Sequence, residues 1–226
     1  FENWMSFRYM FAKKGHFLAF LNVMSIIGIA IGVMALIVVT GVMTGFGNNL
    51  REKIIGTTPH VLIEKETGIR EFDKIVKDVE AIAGVEGAAP YVQGNLFLEN
   101  QSRSLGVIVR GIDPAQEPKI TKVKEYLKQG DLSDLSADGV IIGQEMARFF
   151  DYHLGDKVTL ISPVSGISGQ AWRFELTIVG IFQTGMADDD MNVILVQLSK
   201  GPEMLGLPAD LATGIGVHLK DVNQAK

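Results

Sequence analysis

Three consecutive carboxylates, Asp188, Asp189 and Asp190, form the densest set of hard-cation donors in this 226-residue chain. Clustered carboxylates are the ligands that Ca²⁺ and Mg²⁺ take. The run lacks the alternating spacing and terminal Glu of a calcium loop, so a solvated turn accounts for it better than a metal site. His16, His60, His153 and His218 are scattered, and none has a ligand partner nearby in sequence. There is no cysteine, which excludes disulfides and thiolate metal sites. No G-x-x-x-x-G-K-[ST], H-E-x-x-H or G-x-S-x-G occurs. Gly214 and Gly216 supply two glycines of a dinucleotide fingerprint whose third is missing. The residue chemistry thus points to a binding or mechanical module, with no catalytic set, no metal and no cofactor held by this chain.

A different feature dominates the N-terminal part. Phe17 to Leu50 is a run of 34 residues without an ionisable side chain. A bilayer core needs about 20 apolar residues, so the run predicts a membrane helix with an extension beyond the hydrocarbon. It is too long for the apolar region of a signal peptide, about 7–15 residues. Before it, residues 1–16 place Trp4, Phe7 and Phe11 at helical spacing, with Arg8 and Lys13 on other faces, as in a helix lying at the interface. Arg8, Lys13 and Lys14 precede the apolar run and Arg51 and Lys53 follow it, a small bias towards an inside N-terminus. Two small-residue pairs, Gly28/Gly32 and Gly41/Gly45, suit close approach of neighbouring helices. Val39, Val42, Met43 and Phe46 recur at i, i+3, i+4 and i+7 and share one face. A flexible thioether among branched and aromatic groups suits varied apolar ligands, and it equally suits plain lipid or helix contact.

Residues 51–226 carry 18 basic and 25 acidic residues, a balance that argues against nucleic acid. Apolar periodicity predicts a helix over 71–83 and strands near 60–65, 89–99, 102–111, 140–142, 157–162, 172–184, 193–197 and 213–219. Further helices are expected at 118–128, 144–150 and 198–205. Short mixed elements in this order suggest an α+β domain of two lobes, about 51–112 and 139–226.

Several stretches resemble the permease subunits of the lipoprotein-releasing ABC transporter, the LolC/LolE type, within the wider class that includes the FtsX and MacB permeases. Ser25–Val39 is similar to that family's first membrane helix, and Val42-Met43-Thr44-Gly45-Phe46 to its exit. The segment Arg51–Ile63, with Gly56, Thr58, Pro59 and His60, looks like the entry into the periplasmic domain. Gly111-Ile112-Asp113-Pro114, Gly139–Gly143 and Leu154-Gly155-Asp156-Lys157-Val158 resemble family turns and strands.

The resemblance implies a MacB-like periplasmic core on an inner-membrane helix, with the N-terminus cytoplasmic and three more membrane helices beyond Lys226. It implies extraction of lipoproteins from the inner membrane and delivery to a periplasmic carrier. ATP and Mg²⁺ would act on a separate cytoplasmic ATPase subunit, and a second permease subunit would complete a cavity. The family's acyl-chain cavity positions fall on Val39, Val42, Met43 and Phe46. Its carrier-contact loop falls on Ser162–Trp172, with Pro163, Val164, Ile167 and Trp172; this segment is shorter than the family's hook and has one proline. Other readings are an efflux or cell-division permease of the same class, and a single-pass membrane sensor.

Overall fold

The computed structural model describes residues 16–100, 103–165 and 171–220. The ion-free run becomes one helix, α1 (His16–Thr57), uninterrupted by proline. Its 42 residues make a rod of about 63 Å at 1.5 Å per residue. The expected interfacial helix over 1–16 lies, apart from His16, outside the described residues.

The second compact unit begins at Glu52. Its first elements are β1 (Val61–Ile69), α2 (Phe72–Glu80), β2 (Val85–Asn100), β3 (Arg103–Ile112), α3 (Val123–Tyr126) and β4 (Leu127–Gly130). Then follow β5 (Gly139–Gly143), α4 (Gln144–Phe150), β6 (Lys157–Ser165), β7 (Ala171–Phe182), α5 (Ala187–Asn192), β8 (Val193–Gln197), α6 (Gly201–Leu205) and β9 (Ala212–Leu219).

β2 organises the unit because it is long enough to serve two sheets. Its first half pairs antiparallel with β9, which pairs with β1 on its other edge. α2 covers this small sheet through its apolar stripe: Val76 is buried with Ile69, Ala88, Ile215 and Val217, and Phe72, Ile75 and Val79 pack beside them.

The second half of β2 starts a closed ring. The order β2-β3-β8-β5-β7-β6 returns to β2, with β4 added beside β7. Closure removes the exposed edges of those strands. Period-two alternation fills the barrel: Leu96 and Leu98 of β2, Val107 and Val109 of β3, and Val140 and Ile142 of β5 point inward. Val158 and Leu160 of β6, Leu176 and Ile178 of β7, and Ile194 and Val196 of β8 complete the cluster. Met146 of α4 and Met204 of α6 join the same core. Alternate residues, including Ile141, Phe182 and Leu195, form a second cluster with Ile112, Leu132 and Leu135.

The unit thus carries two sheets that share β2, and neither is built from a contiguous segment. β3, expected in the first lobe, belongs to the barrel, while β9, expected in the second, completes the small sheet. Hydrogen-bonding edges decide this, and an edge can be filled by a strand from anywhere in the chain. The expected helix over 118–128 is also replaced: a 3-10 turn at Glu117–Lys119, α3 and β4 divide the segment, and Ile120 and Thr121 between them are buried.

Candidate functional site

The helical geometry of α1 sets Val39, Val42, Met43 and Phe46 within an arc of about 100°, at 100° per residue. All four are exposed, Met43 at 69%. The whole stretch Phe20–Gly47 is exposed and long enough to cross a membrane. So continuous an apolar surface exceeds the few hundred Å² that proteins leave open to water. Gly28 and Gly32 lie on the same side as the four apolar residues, and Gly41 and Gly45 on the opposite side, by the same 100° steps. Apart from the adjoining residues and the backbone of α1 itself, no described heavy atom lies within 4 Å of where a Cβ would stand on any of the four glycines. The chain's own packing therefore does not require glycine there. Beside Gly41 and Gly45, the residues Leu36, Ile37, Thr40 and Thr44 line a shallow groove.

Within Ser162–Trp172, Ser165 of β6 pairs with Ala171 of β7, and residues 166–170 lie outside the described residues. Pro163 and Val164 precede Ser165, the last residue of β6, and Trp172, the second residue of β7, has 40% of its surface exposed. The backbone N–H of Val164 donates to Ser162 Oγ at 3.2 Å. Ile167 lies outside the described residues.

The Asp188–Asp190 run is not a solvated turn. It lies in α5, and Asp190 is buried. One Asp190 oxygen accepts from the Thr184 N–H at 2.7 Å and the Thr184 hydroxyl at 2.9 Å, and the other from the Gly185 N–H at 3.0 Å. Gly143 makes room for it, since a Cβ there would fall 2.1 Å from the Asp190 carbonyl oxygen. Burial, then the charges of Asp190 and Asp188, hold the neighbouring Asp189 carboxyl above its ordinary range. Among the described residues, no group of three His, Cys, Asp or Glu side chains could hold a metal ion.

Sequence reasoning passed over a second site. Arg110 is the one charge in the inner part of β3, which opens on the exposed Arg103, and it alternates with Ile108 on one face. It meets Glu117, seven residues on, with Nη2 3.4 Å from Oε1. The Thr121 hydroxyl donates to Glu117 Oε1 at 3.0 Å, and the Arg110 guanidinium lies 5.1 Å from the Tyr91 ring centre. Tyr91 in turn donates to Glu64 Oε1 at 2.5 Å. Burial raises the Glu117 carboxyl above its usual range, against the opposing pull of Arg110 and the Thr121 bond. The pair lines a cavity of about 200 Å³. The signal available in sequence was Arg110 within the apolar run Leu105–Ile112, where it needs a partner.

A family model, the MacB-like periplasmic core domain, matches residues 23–226. The chain belongs to this family. Along nearly all its length this MacB-like chain is also similar to lipoprotein-releasing system transmembrane proteins. It is 31% identical over 231 residues to LolC of Neisseria meningitidis serogroup B, covering 99% of this chain and 55% of that protein. It is 28% identical over 228 residues to LolC of Xylella fastidiosa, covering 96% and 54%. It is 27% identical over 232 residues to LolE of Haemophilus influenzae, covering 98% and 56%. The chain thus spans about half the length of the curated relatives it matches.

Proposed function

We propose that this chain is the N-terminal half of a permease of the LolC/LolE type, one that extracts lipoproteins from the inner membrane and passes them to a periplasmic carrier. The observation that carries this reading is the similarity to LolC and LolE over nearly the whole chain, α1 and the folded unit together. In this reading α1 crosses the inner membrane, with its N-terminus cytoplasmic and the barrel unit periplasmic. A separate ATPase subunit binds ATP and Mg²⁺, and this chain takes no part in hydrolysis.

Val39, Val42, Met43 and Phe46 then face the acyl chains, in a cavity completed by a second permease subunit. Each buried CH₂ contributes about 0.8 kcal/mol, so moving an acyl chain needs coupled work and an apolar acceptor. Closing the permease pair removes the apolar surface that held the chain. Gly41 and Gly45, on the far side of α1, suit close packing against a neighbouring helix. The segment with Pro163, Val164, Ile167 and Trp172 is the candidate carrier contact.

The test is release of an acylated lipoprotein to its carrier by the full-length permease, reconstituted with its ATPase. Met43→Gln with Phe46→Gln makes the cavity face polar without adding charge. It is expected to lower release about tenfold, the effect of losing two CH₂ contacts, while the subunits still co-purify. Unchanged release would contradict the assignment of this face.

A further inference from the structure

The first and last strands of the folded unit meet at a corner built from two histidines. β1 and β9 pair antiparallel, with Val61 opposite Val217 as the outermost pair. One step further, the same register sets His60 opposite His218. Pro59, next before His60, has no N–H and cannot extend the ladder. Side chains close the corner instead. The two imidazoles stack with ring centres 3.9 Å apart, and the Leu219 N–H donates to His60 Nδ1 at 3.1 Å. α1 ends at Thr57, just before His60, and β9 ends at Leu219. The corner thus fastens the chain's entry into the unit to its exit from the last strand.

A third strand aims a carboxylate at the pair. β2 sets Val85 opposite Leu219 and Gly87 opposite His218, which leaves Glu86 as the extra residue of a bulge. Its Oε2 lies 3.7 Å from His218 Nε2. His60 Nε2 and His218 Nδ1 are buried and make no hydrogen bond among the described residues. His218 and Glu86 line an open groove whose other charged residues are Glu80 of α2, and Lys119 and Lys122 at and after the 3-10 turn. Glu80 and Lys119 pair with each other at 3.7 Å. Glu86 therefore balances one positive charge on the histidine pair, and no unpaired carboxylate in the groove remains for a second. Like charges directly opposite each other on antiparallel strands repel, and partial burial weakens the screening of that repulsion.

We infer that His60, His218 and Glu86 form a proton-operated latch, closed while the histidine pair carries at most one positive charge and opened locally when both rings are charged. Opening parts His60 from the end of β9 and breaks the Leu219–His60 bond, while the barrel stays folded. The latch lies within the folded unit and is independent of the acyl-chain face of α1.

Hydrogen exchange of the full chain in detergent micelles tests it, followed at the Leu219 amide and corrected for the intrinsic pH dependence of exchange. From about pH 6.5 to about pH 5.5, protection at Leu219 should fall about tenfold, as for one proton taken up per opening. At every pH it should stay below the protection of the Gly139–Gly143 amides in the barrel, because Leu219 exchanges through the local opening. His60→Asn, which keeps an acceptor near the Nδ1 position, and His218→Gln should each remove the fall, and either variant decides the test if the other does not fold. Glu86→Gln, which removes the counter-charge, should move the opening to higher pH. Protection at Leu219 that is indifferent to pH, that falls equally in a histidine variant, or that matches Gly139–Gly143 throughout would overturn the inference and leave the two histidines a fixed part of the packing.

Discussion

At the scale of single residues, the structure turns on charges placed where water is scarce. Arg110 and Glu117 are both largely buried, and removing one member of a buried pair strands the other. Arg110→Met should therefore destabilise the folded unit by about 3 kcal/mol or more, measured as a fall in the denaturant midpoint at constant slope. A second pair gives a pH dependence. His60 stacks on His218 with ring centres 3.9 Å apart, and its Nδ1 accepts the Leu219 N–H at 3.1 Å. Burial, then the nearby His218, lowers the His60 pKa, against the Leu219 bond and Glu86, which raise it. A lowered folded-state pKa means that the unfolded chain binds the proton first. The stability His60 contributes is present above about pH 6.5 and is lost as pH falls below that value. Thermal melts should show a midpoint that declines between about pH 7 and pH 5. His60→Asn, which keeps an acceptor near the Nδ1 position, should flatten that decline. Neither pair was legible in the sequence, because Arg110 and Glu117, or His60 and His218, match no motif and meet only through the fold. Asp190 shows the reverse case: its neighbours suggested a surface turn, but three hydrogen bonds from Thr184 and Gly185 make its burial favourable.

At the scale of elements, legibility followed the range of the interactions. α1 was readable because 34 residues without an ionisable group have few other solutions. β5, β6, β7 and β9 were readable from local β-branched runs. The pairing of β2 with β6 and of β3 with β8 was not, since those partners stand far apart in the chain and period-two patterning fixes which face is buried but not which strand lies alongside. The hinge of the arrangement is β2, where Leu98 lies opposite Leu105 of β3 and Leu160 of β6. Leu98 is fully buried, so Leu98→Ala should cost about 2–5 kcal/mol. Proteolysis of the folded unit under native conditions would report the loss. An equally severe truncation on α1, such as Met43→Ala, should leave that readout unchanged, because Met43 contacts no core cluster.

At the scale of the whole molecule, an exposed apolar helix and a closed, well-filled barrel divide the work. The barrel buries its own apolar residues, while on α1 Val39, Val42, Met43 and Phe46 are exposed and belong to no core cluster among the described residues. In the proposed function, α1 is the part that meets membrane cargo. A photo-crosslinking residue at Met43 in the full-length permease, co-expressed with its ATPase, tests that claim most directly. The account predicts covalent adducts with acylated lipoproteins that diminish during ATP turnover. Adducts confined to neighbouring permease helices would contradict it and return Met43 to simple helix packing.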